Sequence, residues 1–395
     1  MKIRSINKWN EKKINQLGKN SKNRLILISS SYHFIRIFLN DFIDSISQTY
    51  ELSIFTNLKI EKETKFNSNY IHIPIQRKIS VISDFISIII CIFRFIKNRP
   101  NYLITVTPKA IIFGSILKFL FIKSHRTHIY TGITWTNMRG FKKIFFIFLD
   151  RINIFFSDLI LFDSKEQILF FKENNLISSK FKLIHNGSIK GVDTKIFYSF
   201  DNIIKNSLRK KFGIKEEAKV ILYMGRMDQE KGIQDLIESY KYIHSKRKNI
   251  ILLLVGKDEM NVNSYLKNLN FEIRNKIIYL EHSESPHEIL NIANIFCLPS
   301  KREGFGNSVI ESSACEVPVV GSNIFGLNSS LIDEYNGLIF EVNNIRDLSL
   351  KLLKLIDDKY FCMRLGKNGR SYVVKNFEKN DVINSLNKLI TKNYV

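Results

Sequence analysis

The chain has 395 residues, 45% of them hydrophobic, and a formal net charge of +23. This length favours two domains, and so many hydrophobic residues exclude a wholly disordered chain. Lysine is spread along the whole sequence, so the positive charge is compatible with a phosphorylated substrate, an anionic lipid surface, nucleic acid or a compositional bias alone.

The cysteines are scattered and form no C-x-x-C pair; they are Cys91, Cys297, Cys315 and Cys362. Each lies in an apolar stretch, so we expect buried, reduced thiols, as in a reducing cytosol. The N-terminal segment MKIRSINKWNEKKINQ lacks the apolar core of a secretory signal. The predicted location is therefore the cytoplasm.

Short β-rich runs alternate with helix-length segments in the first half of the chain. The predicted strands are RLILIS, ELSIFT, NYIHIPI, NYLITVT, THIYTG, DLILFDS and FKLIHNG, and the predicted helices are residues 34–48, 81–96, 110–122 and 141–155. Charges interrupt the apolar segments 81–96 and 110–122, which fall short of the ~20 residues that a membrane span needs. We expect both to be buried helices.

The pattern lapses in the polar, basic segment 196–211 and then restarts. The second set of predicted strands is KVILYMG, NIILLLVG, KIIYLE, IFCLP and VPVVGS, separated by helices at 233–245, 263–270, 287–293, from 307, and at 346–357. Strands alternating with helices indicate parallel sheets. The prediction is an α/β protein of two doubly wound, Rossmann-like domains facing a cleft, residues 1–198 and 199–377, with a C-terminal helix at about 378–395 packing back on the first.

Two loops at predicted strand ends carry residues suited to a diphosphate. In YMGRMDQEKG, Gly225 ends a strand, and Arg226 and Lys231 precede a helix. Cations at a helix N-terminus supply charge-assisted hydrogen bonds to phosphate oxygens. The alternative is that Arg226 and Lys231 are ordinary solvated residues of a lysine-rich protein. Gly256 in LLLVGKDE ends the next strand and allows a ligand to approach the backbone.

The segment SKREGFGNSVIESSACEVPVVGS places a glutamate on each side of a glycine-rich turn. Glu303 precedes the turn, a helix is expected from about Asn307, and Glu311 lies about one turn into it. An acidic residue in such a place accepts hydrogen bonds from both ribose hydroxyls in dinucleotide sites, which suggests this role for Glu311. Backbone amides at the turn are available to a sugar or a phosphate; the turn and helix start comprise Gly304, Phe305, Gly306, Asn307 and Ser308.

These segments resemble those of the retaining glycosyltransferases of family 4, which have the GT-B fold. EGFGNSVIE resembles the E-x7-E signature of that family, and GRMDQEKG resembles its G-R-x-x-x-x-K-G phosphate loop. NGLIF and IHNGSIKGVDTKIF match two further stretches of the family. The resemblance covers nearly all of the second half of the chain and, loosely, the first.

The resemblance implies a role for each matching residue. Arg226 and Lys231 would stabilise the nucleoside diphosphate leaving group, Glu311 would hold the ribose, and Glu303 with the amides of the turn would orient the sugar. Arg226, Lys231 and Glu303 are thus the implied catalytic residues. The donor would be a nucleotide sugar, most readily a UDP-sugar, with a hexose or N-acetylhexosamine type of sugar. No cofactor and no metal are expected, and no D-x-D motif is present.

The first half departs from the family pattern. The loop SSSYH after the first strand has no glycine, and Thr131 and Gly132 stand where many relatives have a histidine. We interpret His128 and His185 as structural. The candidates on the acceptor side are Ser30, His33, Thr131 and Gly132. T-G-x-x-W and PKA resemble a subgroup that builds capsule, O-antigen and lipid-linked surface glycans, so the expected acceptor is lipid-linked or an oligosaccharide.

An acceptor of this kind would lie at the inner face of a membrane, and basic residues near the surface favour anionic lipid. The candidate cations are Lys118, Lys123, His125, Arg126, Arg139, Lys142 and Lys143, next to the aromatic helix FKKIFFIFLDRINIFF. That helix is equally compatible with a buried core.

Other classes of protein fit less well. An NAD-dependent dehydrogenase lacks its G-x-G-x-x-G, and a nucleic-acid-binding protein lacks an RNP or helix-turn-helix motif, so no nucleic-acid partner is expected. A sugar-nucleotide epimerase of the same fold and a family member without catalytic activity remain alternatives.

Overall fold

The computed structural model describes residues 22–58, 69–76 and 80–392 of the chain. Among these residues there are two compact units. The first holds the chain up to Tyr130, Arg139–Leu161 and the end from Ile390, and the second holds Thr131–Met138 and Phe162–Leu389. The boundary predicted at residues 198 and 199 stays a prediction, as does the packing of the C-terminal helix on the first domain. The segment MKIRSINKWNEKKINQ and residues 393–395 lie outside the described residues.

The first sheet has the strand order β3-β2-β1-β4-β5-β6-β7. Its strands are β1 (Arg24–Ser29), β2 (Glu51–Thr56), β3 (Asn69–His72), β4 (Tyr102–Val106), β5 (His125–Tyr130), β6 (Leu159–Phe162) and β7 (Phe181–Leu183). β1 pairs in parallel with both β2 and β4, with Leu27 opposite Ile54 on one side and Ile104 on the other. The chain therefore winds outward in both directions from β1, as in a doubly wound sheet.

The helices of the first half follow the predicted positions closely. They are α1 (Tyr32–Phe34), α2 (Asn40–Ile46), α3 (Val81–Asn98), α4 (Pro108–Leu120) and α5 (Gly140–Phe156), with a π-helical segment (Ile35–Leu39) between α1 and α2. The single helix predicted at 34–48 is thus divided. α3 ends where Arg99 takes a left-handed conformation, with φ 42°, directly before Pro100, a residue that cannot continue a helix.

The second sheet is parallel, with the order β10-β9-β8-β11-β12-β13. Its strands are β8 (Lys219–Met224), β9 (Ile250–Val255), β10 (Ile277–Leu280), β11 (Ile295–Leu298), β12 (Val319–Ser322) and β13 (Gly337–Phe340). All six residues of β9 are buried, as the unbroken apolar run IILLLV predicts for a strand covered on both faces. The prediction of two α/β parallel sheets is confirmed.

The helices from residue 165 onward are α6 (Lys165–Glu173), α7 (Asn202–Lys211), α8 (Ile233–Lys246), α9 (Val262–Lys267), α10 (Phe271–Arg274), α11 (Pro286–Ile292), α12 (Asn307–Ala314), α13 (Ile345–Asp357), α14 (Lys359–Asn376) and α15 (Lys379–Lys392). α7 lies in the polar segment that interrupts the predicted pattern. Asp201 caps it by accepting from the amide of Ile204, and Arg209 donates to the carbonyl of Ile292 through Nε and Nη2. One capping residue and one buried arginine thus help to stabilise a helix whose apolar residues are Ile203, Ile204 and Leu208.

The prediction of a buried helix is wrong for the segment 81–96 and holds only in part for 110–122, in which Ala110, Ile111, Phe113, Gly114, Ser115 and Leu117 are buried. In α3 only Ser87, Cys91 and Phe95 are buried, because a helix on a sheet buries one side and most of the large apolar side chains of α3 lie on its exposed side. α4 contacts both α3 and α5. We call the exposed hydrophobic residues of the three helices the apolar face: Val81, Ile82, Phe85, Ile86, Ile89, Phe93, Ile96, Ile112, Ile116, Phe119, Leu120, Phe141, Ile144, Phe145, Phe148 and Phe155. No helix within the described ranges is long and apolar enough to cross a membrane.

The basic residues predicted to face lipid differ in exposure. Arg126 is fully buried and donates to Ser115, Ile111 and Asn153, so the prediction for this residue is wrong. Lys118 forms an ion pair with Asp158 at 2.8 Å, and burial lowers the pKa of His125. The residues that stay exposed beside the apolar face are Lys123, Arg139 and Lys142, with Lys143 partly buried.

The four cysteines are free thiols. Cys91, Cys297 and Cys315 are buried, as expected, and Cys362 is partly exposed. Burial raises the pKa of the Cys91 and Cys315 thiols to about 12, so they are protonated at neutral pH.

Candidate active site

The first two predicted loops lie side by side at the carboxyl ends of β8 and β9. Gly256 has φ +139°, and a Cβ atom there would stand 1.9 Å from the carbonyl oxygen of Gly225. Only glycine allows this approach of the two backbones. The structure therefore brings Gly225 and Gly256 together.

Arg226 follows β8 and is held through its backbone and its side chain. The hydroxyl of Tyr223 donates to the carbonyl of Arg226 at 2.7 Å. Arg226 Nη1 lies 3.0 Å from Asp228 and 3.1 Å from Glu259. Its Nε and Nη2 have no partner within the described part of the chain, so the guanidinium keeps donors for a ligand. Burial, with a contribution from Glu303, raises the pKa of Tyr223 far above its usual value, so the hydroxyl stays a donor.

Lys231 and Glu303 form a close ion pair. Lys231 ends a 3₁₀ turn, Gln229–Lys231, and its Nζ lies 2.5 Å from Glu303 Oε1, which also accepts from Ser300 Oγ at 2.7 Å. Both charged side chains are less than one-fifth exposed. The next residue, Gly232, has φ +64° and packs so tightly on Pro299 that a Cβ would lie 2.0 Å from its carbonyl oxygen. This contact joins the Lys231 loop to the Glu303 loop.

The turn between the two glutamates presents five consecutive backbone amides. Those of Gly304, Phe305, Gly306, Asn307 and Ser308 have no hydrogen-bond acceptor among the described residues. α12 begins at Asn307, as predicted, after Gly306 with φ +78° and without a side-chain cap. Unpaired amides at the start of a helix favour an anionic or hydroxyl-rich ligand. The Phe305 side chain is buried against Phe377, which leaves only its backbone for a ligand.

The turn contacts Gln167, a residue that the sequence analysis did not name, and two residues that it did, Thr131 and Gly132. The amide Nε2 of Gln167 donates to the Asp163 carboxylate at 2.6 Å and to the Gly304 carbonyl at 3.1 Å. Thr131 and Gly132 lie directly against Gly304, where a Cβ would meet the Thr131 carbonyl oxygen at 2.3 Å. Two of the predicted acceptor-side residues are thus next to the predicted donor turn.

Glu311 forms an ion pair with Lys190, whose Nζ lies 2.6 Å from Glu311 Oε1. Lys190 belongs to the stretch IHNGSIKGVD, in which Ser188 Oγ also donates to Asn307 Oδ1 at 2.7 Å. Sequence reasoning named this stretch but missed Lys190. The lysine inside a segment matching the family was a usable signal, although nothing in the sequence pairs it with a glutamate 121 positions away.

The other predicted residues belong to the first unit. Ser30 is buried, with its amide and hydroxyl both bonded to Thr107 Oγ1, and His33 is exposed on α1. His128 is buried and its Nδ1 lies 2.8 Å from Thr105 Oγ1. Burial lowers its pKa well below the usual value, so the ring is neutral, in agreement with a structural role. No group of three metal-ligating residues occurs in the part of the chain that the structure describes.

The fold is that of the GT-B class. The structure superposes on sucrose-phosphate synthase of Thermosynechococcus elongatus with a TM-score of 0.79 and 18% identity, over 94% of this chain and 99% of that one. Residues 204–372 match the family model of glycosyl transferases group 1.

Two relatives are similar over most of their length. The capsular polysaccharide biosynthesis glycosyltransferase CapM of Staphylococcus aureus is 30% identical, over 80% of this chain and 83% of the relative. The UDP-Gal:alpha-D-GlcNAc-diphosphoundecaprenol alpha-1,3-galactosyltransferase of Escherichia coli is 26% identical, over 76% and 78%. The chain belongs to the family of glycosyl transferases group 1 and is a glycosyltransferase.

Proposed function

We propose that this protein transfers a hexose or N-acetylhexosamine type of sugar from a UDP-sugar to a growing lipid-linked surface glycan, with retention of anomeric configuration. The observation that carries the proposal is the row of five unpaired amides, Gly304 to Ser308, between the ion-paired carboxylates of Glu303 and Glu311. The donor and acceptor are inferred from the two relatives, whose names specify capsular polysaccharide, UDP-Gal and a diphosphoundecaprenol acceptor.

The charges near the turn suit the departure of a nucleoside diphosphate. As the bond between sugar and phosphate breaks, negative charge grows on the leaving oxygen, and fixed cations and amides stabilise it in the transition state. Arg226 has two nitrogens without a partner in the described chain, and Lys231 is held beside the turn by Glu303. We therefore assign leaving-group stabilisation to Arg226 and Lys231. We expect no metal to be required, so that activity persists in EDTA.

The carboxylates suit binding rather than proton transfer. Glu303 accepts from both Lys231 and Ser300, and Glu311 accepts from Lys190. A carboxylate has two oxygens and several lone pairs, so each glutamate can also accept hydrogen bonds from sugar or ribose hydroxyls. We assign the transferred sugar to Glu303 and the ribose to Glu311.

The acceptor assignment is supported by the apolar face. It comprises sixteen exposed hydrophobic residues on three helices, of which α4 contacts the other two, and large exposed apolar patches are typical of surfaces that bind a partner or a membrane. Residues 81–158 contain eleven Lys and Arg but only three Asp. Of these acids, Asp84 and Asp158 are ion-paired and Asp150 is buried. An apolar surface flanked by unbalanced positive charge matches the surface of an anionic bilayer, and we propose that the face docks there.

The transferase proposal is tested by incubating the purified full chain with a panel of UDP- and GDP-sugars and a lipid-linked acceptor. We expect UDP release and a glycosylated lipid whose new linkage, examined by NMR, keeps the configuration of the donor. Conversion of the nucleotide sugar into a different nucleotide sugar, with no glycosylated acceptor, would indicate an epimerase instead. Absence of both binding and turnover with every donor would contradict the proposal.

Membrane docking is tested by co-sedimentation with vesicles containing about one-third anionic phosphatidylglycerol. We expect the double variant Phe93→Ser/Phe141→Ser to lose binding, while Phe271→Ser keeps it. Phe271 is a matched control because it is 75% exposed on α10, against 71% for Phe93 and 81% for Phe141. Equal binding by the double variant and the wild type would contradict docking through the apolar face.

A further inference from the structure

A cavity of about 420 Å³ lies in the second unit beside the glycine-rich turn. Its lining residues are Thr136, Asn137, Lys301, Arg302, Asn323, Ile324, Phe325, Val342 and Asn343. Lys301 and Arg302 directly precede Glu303, and Gly326, directly after the lining segment, packs on the Glu303 carbonyl. The volume falls in the range of ~300–1,000 Å³ found for small-molecule sites, which is more than a single ion needs.

Three asparagines, Asn137, Asn323 and Asn343, make up half of the polar residues in the lining. The Oδ1 atoms of Asn137, Asn323 and Asn343 have no hydrogen-bond partner among the residues described, and neither has the Nδ2 of Asn343. All three asparagines are exposed. Free carbonyl oxygens accept from hydroxyl groups, and a free amide N–H₂ donates to them.

The two cations in the lining are already engaged. Arg302 Nε donates to Glu230 at 2.8 Å, and Lys301 Nζ lies 3.8 Å from Asp235. Asn323 Nδ2 in turn donates to Glu341 at 2.9 Å. The carboxylates of Glu230, Asp235 and Glu341 therefore each contact a lining residue. Together with the acceptor oxygens of the asparagines, they disfavour the binding of an anion.

An apolar wall completes the cavity. Phe325 is partly exposed, its ring is fixed by Phe170 at a centroid distance of 4.9 Å, and Ile324 and Val342 lie beside it. An aromatic ring next to amides suits a sugar ring, which has C–H groups on its faces and hydroxyls around its edge. An inorganic anion gains nothing from such a wall.

We infer that this cavity is a saccharide subsite that holds a neutral pyranose of the acceptor glycan. The assignment to the acceptor rests on the proposed function, since Thr136 and Asn137 belong to the same short loop as Thr131 and Gly132. That loop is fixed to the lining by bonds from Asn137 Nδ2 to the Lys301 carbonyl and from Arg302 Nη1 to the carbonyls of Ile133 and Thr134. The subsite would hold the glycan beside the turn that carries the donor sugar.

The test measures binding of methyl glycosides of glucose, galactose and N-acetylglucosamine to the full chain by ligand-observed NMR, with UDP present. We expect binding of at least one glycoside, weakened about tenfold or more in Asn343→Gly and in Asn137→Ala. Glycine suits position 343 because Asn343 has φ +62°. Asn268→Ala, an exposed asparagine outside the cavity, should bind like the wild type, and all variants should keep the UDP affinity of the wild type.

Three results would overturn the inference: no glycoside binding up to about 100 mM, glycoside binding that the cavity variants leave unchanged, or sulfate binding that depends on Asn343 while no glycoside binds. The proposed function is judged separately by UDP affinity and sugar transfer in the wild type. If the wild type binds UDP and transfers sugar but binds no glycoside, the subsite is therefore contradicted and the proposed function is not.

Discussion

Lys190 and Glu311 are joined by an ion pair of 2.6 Å between Nζ and Oε1, although they are 121 positions apart in the chain. Their side chains are 22% and 12% exposed, so the pair is partly shielded from water and stronger than an ion pair on the open surface. The lysine engages Oε1, and Oε2 has no hydrogen-bond partner among the described residues, so it is available to a ligand. Lys190 thus holds the proposed ribose ligand in place before the donor arrives.

The ribose assignment predicts a dependence on the sugar hydroxyls of the nucleotide. Glu311→Gln should weaken UDP binding about tenfold, because a hydrogen bond to a charged group contributes ~1.5–3 kcal/mol. The same variant should change the affinity for 2′-deoxy-UDP much less. Isothermal titration of both nucleotides with both proteins checks this. An equal loss for UDP and its 2′-deoxy analogue would contradict contact between Glu311 and the 2′-hydroxyl.

Removing the charge of Lys231 should slow transfer more than it weakens binding. Lys231→Met should lower kcat about 10²–10³-fold, as loss of a transition-state donor does, with a smaller change in KM. Lys241→Met is the matched control, since Lys241 also forms an ion pair, with Glu238 at 2.8 Å on the surface of α8. Steady-state kinetics of UDP release measures both. A change in KM with unaltered kcat would contradict the role of Lys231 in the chemical step.

Local patterns were sufficient to predict most of the second sheet and its site loops. A few neighbouring residues are enough to predict a buried strand such as IILLLV, or a glycine at the point where a strand meets a loop. The helix start at Asn307 and the positions of Gly225 and Gly256 just after β8 and β9 follow from such signals. These features depend on backbone sterics and on burial, which neighbouring residues largely determine.

Long-range partners and exposure could not be read in this way. Gln167 meets Gly304 and Lys190 meets Glu311 only after the chain has folded. Arginine is usually exposed, but Arg126 is fully buried and donates to acceptors in α4 and α5. For α3 the sequence predicted burial where the structure shows exposure, because apolar composition predicts burial whether or not a second layer covers the helix.

The contact between Gly232 and Pro299, which joins the Lys231 loop to the Glu303 loop, should be destabilised by any side chain at position 232. Gly232→Ala adds a Cβ 2.0 Å from the Pro299 carbonyl oxygen at φ +64°, whereas Gly213→Ala adds one at φ +65° with nothing within 4 Å. Both variants carry the ~1–2 kcal/mol cost of a left-handed alanine, and Gly232→Ala should cost about 1–3 kcal/mol more. Urea denaturation measures the two free energies of unfolding. Equal values would show that the backbone relieves the clash without cost.

Asp163 should make the stability of the protein fall as the pH rises. Its carboxylate is 2% exposed, pairs with no cation in the described chain and bonds to Gln167 at 2.6 Å. Burial raises its pKa from 3.8 to about 7. Between these values the folded state binds the proton and the unfolded state does not. The free energy of unfolding therefore decreases with pH across this window, by about 1.4 kcal/mol per unit at most, and levels off above pH ~7.

Asp163→Asn removes this titration and keeps an oxygen to accept from Gln167. The variant should therefore gain stability relative to the wild type between about pH 5 and about pH 8, by roughly 2 kcal/mol, because only the wild type has to bury an ionised carboxylate at the higher pH. Urea denaturation at both pH values measures the difference, and other titrating groups cancel between the two proteins. A constant difference between wild type and Asp163→Asn would mean that Asp163 ionises in the folded protein as readily as in the unfolded chain.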